Sequence, residues 1–136
     1  MAGSIALTFA ALSAIHVYWA MSGRRGADDA IPEVDGKPLF KPGAWATLTV
    51  AGLLALAAAL VLERASLLPE VGPKVLSRDG TCLVAAAMIA RAIGDFNHVG
   101  FFKRRRGTRF ARLDTRLYSP LALALGLGSA VIAAWH

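Results

Sequence analysis

Four stretches of the chain are dominated by apolar residues, and polar punctuation separates them. They run from about Ala2 to Met21, Ala44 to Leu62, Thr81 to Phe102 and Leu117 to Trp135. Each is close to the roughly 20 residues that a helix needs to cross a hydrocarbon core of about 30 Å. Backbone groups inside lipid must be satisfied within their own segment, so helices are the expected form. The pattern therefore predicts an all-α fold, an integral membrane bundle of four transmembrane helices. One domain covers residues 1–136. The first segment lacks a basic residue ahead of its apolar run and ends in "HVYWAMSGRR" rather than a small-residue cleavage site, so it is read as a retained helix.

The intervening segments read as loops. "SGRRGADDAIPEVDGKPLFKPG" is punctuated by Asp-Gly and Lys-Pro, and "ERASLLPEVGPKVLSRDG" contains Pro69 and Pro73. "KRRRGTRFARLDTR" is densely basic and, with Phe110 and Leu113, suits a path along a membrane surface. Pro120 stands at the expected start of the fourth helix, where its missing N–H costs nothing. Small residues recur every fourth position: Ala6, Ala10 and Ala14; Ala51, Ala55 and Ala59; Ala86, Ala90 and Gly94; Ala122, Gly126 and Ala130. Such stripes let helix backbones approach closely, so they are expected at the packed faces.

Composition supports the membrane reading. Of 136 residues, 56% are hydrophobic, which exceeds the apolar share of ordinary soluble domains. The net charge of +6 is concentrated beside the apolar segments, which points to orientation and anionic lipid rather than nucleic acid. With four spans, the first and third loops share a side. Together they hold eleven basic residues: Arg24, Arg25, Lys37, Lys41, Lys103, Arg104, Arg105, Arg106, Arg109, Arg112 and Arg116. The other side holds Arg64, Lys74 and Arg78. This asymmetry predicts a multi-pass protein of a bacterial inner membrane with both termini outside. The 103–116 loop is expected against anionic lipid head groups. Trp19, Trp45 and Trp135 fall near the span ends, as interfacial anchors do.

The third segment carries the chemistry. Arg91, Asp95 and His98 interrupt it. At 100° per residue they fall within an arc of about 60°. A charge near mid-bilayer costs at least about 2.5 kcal/mol, so an Arg91–Asp95 pair one turn apart is expected. Such a pair serves either as a packing clip or as part of a polar pocket. The first segment offers His16 and Trp19 at a similar depth. The candidate ligand-binding residues are thus His16, Trp19, Arg91, Asp95 and His98, with the first and third helices lining a cavity. Its expected role is to bind or move a small molecule or a lipid head group, and transport by so small a chain would call for a homodimer.

Other chemistries are less well supplied. His16 and His98 could ligate a haem between facing helices, the basis of an alternative redox reading. No nucleophilic triad stands out, so no catalytic residue is assigned and the reading leans away from an enzyme. A third reading is a structural or regulatory subunit. Cys82 is the single cysteine and sits in an apolar run, where a small buried hydrophobe is expected. The acidic residues Asp28, Asp29, Glu33 and Asp35 lack calcium-loop spacing and read as a solvated loop, so no metal site is assigned.

The strings "HVYWAMSG", "IPEVDGKPLFKP" and "ARAIGDFNHVGFFKRRRGTRFARLDTRLYSPL" resemble a bacterial family of small membrane proteins, the domain of unknown function 3995. The resemblance implies a four-helix integral membrane protein and no particular activity or cofactor. His16, Tyr18, Trp19, Arg91, Gly94, Asp95, Gly100, Phe101, Lys103, Asp114 and Pro120 lie in the matching strings.

Overall fold

A computed structural model describes residues 1–21 and 28–136, and these are mostly helical. Helix α1 spans Ala2–Met21, α2 Ala44–Arg64 and α3 Lys74–Ile93. A short α4 (Arg109–Leu113) runs through one π-helical stretch (Asp114–Tyr118) into α5 (Ser119–Trp135). Arg24 and Arg25, two of the basic residues counted for orientation, lie outside the described residues.

Among the described residues, three helical stretches are long and apolar enough to cross a membrane: Ala2–Met21, Ala44–Arg64 and Arg109–Trp135. Helix α3 has the length but not the hydropathy. It starts seven residues before the expected Thr81 and so takes in Lys74, Arg78 and Asp79. It also stops nine residues before the expected Phe102, because Gly94 leaves the helix at φ +85° and ψ −168°. The apolar residues after Gly94 that made the third segment look continuous belong to a loop. The last helix departs in the other direction, beginning at Arg109 rather than Leu117. Thr108 caps it, its hydroxyl accepting the Ala111 N–H at 3.0 Å. Pro120 therefore sits inside a helical run. The π turn just before it supplies the irregularity that a proline without an N–H requires.

Long helices that follow one another in the chain run in opposite directions, so α2 and α5 run the same way. At one end, Tyr118 donates its hydroxyl to the Asp29 carbonyl at 3.0 Å and Arg109 pairs with the Asp29 carboxylate at 2.8 Å. This joins the first and third loops. At the other end, Arg64 reaches the Ala133 carbonyl at 3.1 Å. The first loop also holds a two-residue hairpin, with Glu33–Val34 antiparallel to Lys37–Pro38. Asp35 and Gly36 turn it with φ of +54° and +77°, the pair of positive angles that a tight hairpin needs.

Helix α1 packs along α2, α3 packs along α5, and α2 meets α3. The core joins Ile5, Phe9, Ala57, Val61, Leu125 and Ile132. Only one of the four small-residue stripes is a packing face. In α5, a side-chain carbon on Gly126 would lie 2.7 Å from Ile89 and 3.2 Å from the Ala85 carbonyl, so α3 and α5 approach at van der Waals limits there. The partner face on α3 runs through Ser77, Thr81, Ala85 and Ala92, not through Ala86 and Ala90, which are exposed. Ala10, Ala14, Ala55 and Ala59 also face outward. Cys82 is exposed too, not buried as expected, because it follows Thr81 on the turn that faces away from the bundle. The outer surface is rich in large apolar side chains such as Leu7, Leu53, Leu56, Leu83 and Leu127. That is what lipid, rather than water, would solvate.

Candidate functional site

The expected Arg91–Asp95 pair does not form. A pair one turn apart needs both residues on one helix, and α3 ends between them. Arg91, in the last turn of α3, instead donates to Asp114 Oδ1 at 2.6 Å. Asp114 comes from the π turn and its side chain is fully buried. Its other oxygen accepts Lys103 Nζ at 3.1 Å and the Gly100 N–H at 2.7 Å. Lys103 is equally buried, and its ammonium also reaches the Gly100 carbonyl at 2.8 Å and the Thr115 hydroxyl. All three of its donors are thus used. One carboxylate ties together the end of α3, the loop after it and the start of the last helix. Among the described residues, Arg91 Nη1 is buried without a hydrogen-bond partner.

Two glycines make the close approach possible. Gly94 and Gly100 cross with their backbones touching. A Cβ on Gly94 would lie 1.9 Å from the Val99 carbonyl oxygen, and one on Gly100 2.3 Å from that of Ile93. Both have φ near +86°, at +85° and +87°. The crossing is fixed by Phe101 N–H donating to the Ala92 carbonyl at 2.8 Å. Beyond it, the Asn97 carbonyl accepts from the N–H groups of Arg104 and Arg105.

Asp95 has a local role. Its Oδ1 accepts the backbone N–H groups of Asn97, His98 and Val99 at 2.9, 2.7 and 3.1 Å. Its Oδ2 lies 3.5 Å from His98 Nδ1. Burial opposes ionisation of Asp95, but the three N–H groups and His98 outweigh it and hold the carboxyl at about 2. Asp95 and His98 thus shape the loop that Asp114 anchors, rather than lining a cavity with Arg91.

His16 and Trp19 lie elsewhere. They face a cavity of about 640 Å³ between the C-terminal end of α1, the first loop and the N-terminal end of α2. Ile31, Phe40, Thr47 and Val50 contribute to its walls, and no charged residue does among those described. His16 Nδ1 is 2.7 Å from the Leu12 carbonyl, and its ring meets that of Trp19 at a centroid distance of 5.0 Å. Arg91, Asp95 and His98 are not among the described residues of the lining. The five candidates therefore divide in two. His16 and Trp19 share a cavity, and Arg91, Asp95 and His98 belong to the α3 end and its loop. The two histidines do not meet in that cavity.

Residues 9–129 match the family described as protein of unknown function DUF3995. The chain belongs to it. The match takes in both halves of the site, from His16 and Trp19 to Asp114. No curated protein and no solved structure matches the chain. In this DUF3995 protein the residues that sequence reasoning left without a role are Lys103 and Asp114. Lys103 opens a run of four basic residues expected against anionic head groups, yet it is buried. The available signal was Asp114 itself, the one acidic residue between Lys103 and Arg116.

Proposed function

We propose that the protein is a four-span protein of a bacterial inner membrane that binds a small amphipathic molecule in the cavity lined by His16, Trp19 and Phe40. The cavity carries this reading. Its volume of about 640 Å³ falls within the range of small-molecule sites, and its walls are mainly apolar with a few polar groups. Helix α3 is counted as the fourth span because it packs against α2 and α5 and because residues 80–90 at its centre are uncharged. Its 20 residues reach about 30 Å. Its one charge near the loop end, Arg91, is neutralised by Asp114.

To test the binding reading, the protein is extracted in native lipid within polymer-bounded discs and its bound small molecules are weighed. A molecule enriched over bulk lipid should be present, and Ala20→Leu with Ala46→Leu, which fill the cavity, should remove it. Identical molecules on both proteins would overturn the reading.

The basic residues support an orientation with both termini outside and the 94–116 segment in the cytoplasm. Arg104, Arg105, Arg106, Arg109, Arg112 and Arg116 are exposed and available to anionic head groups, whereas buried Lys103 is not. Cysteines introduced at positions 73 and 107 should be labelled from outside and inside respectively by a membrane-impermeant reagent. The reverse pattern would overturn the orientation.

A further inference from the structure

We propose that the molecule held in this cavity is a lipid-soluble hydroxylated ring, a phenol or hydroquinone, whose hydroxyl donates to Nε2 of His16. This rests on the cavity reading above and names its ligand class. The argument begins with protons. A carbonyl oxygen can only accept, so the 2.7 Å contact between His16 Nδ1 and the Leu12 carbonyl puts the ring proton on Nδ1. A neutral imidazole then carries a lone pair on Nε2. Thr47 is committed in the same sense, because its hydroxyl proton goes to the Gly43 carbonyl at 3.0 Å and leaves oxygen lone pairs. Both side chains thus offer acceptors.

The backbone supplies the opposite function. Helix α2 begins at the cavity, with Ala44 and Ala46 in its wall, and Gly43 ahead of it provides no side-chain cap. The first N–H groups of a helix have no partner within it. A ligand that both donates to His16 and accepts from an N–H would use both functions. A hydroxyl is a neutral group that does both. A carboxylate would present only lone pairs to Nε2 and has no proton to give. The indole of Trp19 and the phenyl of Phe40 suit a flat apolar body, since ring pairs attract beyond their simple burial. The exposed apolar faces of α1 and α2 suit a ligand that arrives from lipid rather than water.

The test uses the full chain in lipid nanodiscs with Trp45→Phe and Trp135→Phe. Both tryptophans are exposed, at 84% and 82%, so Trp19 becomes the sole indole reporter. Decyl-hydroquinone, kept reduced, is titrated against its dimethyl ether, which retains the ring and tail but has no proton to donate. The hydroquinone should quench Trp19 saturably, with an apparent Kd about tenfold below that of the ether, the worth of one hydrogen bond to a desolvated acceptor. His16→Phe should bring the two compounds together. Ala46→Leu should remove saturable quenching by both. If the ether and the hydroquinone bind equally well, the donor proposal is overturned while the cavity reading stands. If neither gives saturable quenching that Ala46→Leu removes, both fail.

Discussion

Asp114→Ala should cost about 3–5 kcal/mol of stability, the range for removing one partner from a buried charge pair. The carboxylate is completely buried and faces two cations. Without it, Lys103 keeps an ammonium with no exposure to solvent and only neutral oxygens around it. Arg91 is one-third exposed and can recover some hydration, so most of the loss should come from Lys103. The Gly100 N–H would also lose its acceptor. Two comparisons separate this mechanism from a general intolerance of the region. Asp95→Ala removes a carboxylate from the same loop, but an exposed one, so its loss should be near 1 kcal/mol. The triple change Arg91→Leu, Lys103→Met and Asp114→Leu removes the charges together and should regain much of what Asp114→Ala loses. Thermal unfolding of the purified protein in one detergent measures all three. An Asp114→Ala protein no less stable than Asp95→Ala would contradict the assignment of the anchor.

The helical, membrane-like character of the chain was legible because hydropathy summed over about 20 residues is insensitive to where a helix ends. The ends themselves were not. Residues 94–102 include Phe96, Val99, Phe101 and Phe102, so the apolar pattern extended α3 through them, although Gly94 and Gly100 each marked a backbone that could leave the helix. That extension created the apparent arc of Arg91, Asp95 and His98. An angle computed on a helix has no meaning past the residue where the helix stops, and Asp95 lies one residue beyond Gly94. Arg91 was rightly singled out as a charge that needs a partner, but its partner is 23 positions away. Spacing rules see only neighbours along one helix. The small-residue stripes failed for a related reason. Alanine is frequent on both the lipid and the packing faces of these helices, so spacing alone did not distinguish Ala85 from Ala86. His16 and Trp19 do fall together, because they lie three apart on one continuous helix, but they face the first loop and α2 rather than the third helix with which they were expected to share a cavity.

Gly94→Ala is expected to be as damaging as the loss of Asp114, through strain instead of charge. Gly94 combines φ +85° with an extended ψ of −168°, a region essentially reserved for glycine. Occupying it with an L side chain costs about 1–3 kcal/mol before any contact is considered. The contact is severe as well. A Cβ would sit 1.9 Å from the Val99 carbonyl oxygen and 2.7 Å from Gly100 Cα, and these are backbone atoms that cannot rotate aside. The crossing would have to open. Opening it moves Gly100, whose N–H and carbonyl both serve the Asp114–Lys103 network. Gly100→Ala attacks the same crossing from the other strand, with a Cβ 2.3 Å from the Ile93 carbonyl. The two substitutions should therefore be far from additive, since whichever comes first releases most of what the second would strain. Gly107→Ala provides the control, because a Cβ there meets nothing within 4 Å. The measurement is again thermal unfolding in detergent, with limited proteolysis after Arg104 and Arg105 as a local readout. Both arginines are exposed, but their backbone N–H groups are held by Asn97. Faster cleavage in Gly94→Ala and Gly100→Ala, but not in Gly107→Ala, is the expected outcome. Unchanged cleavage in Gly94→Ala would mean that the crossing does not hold this loop.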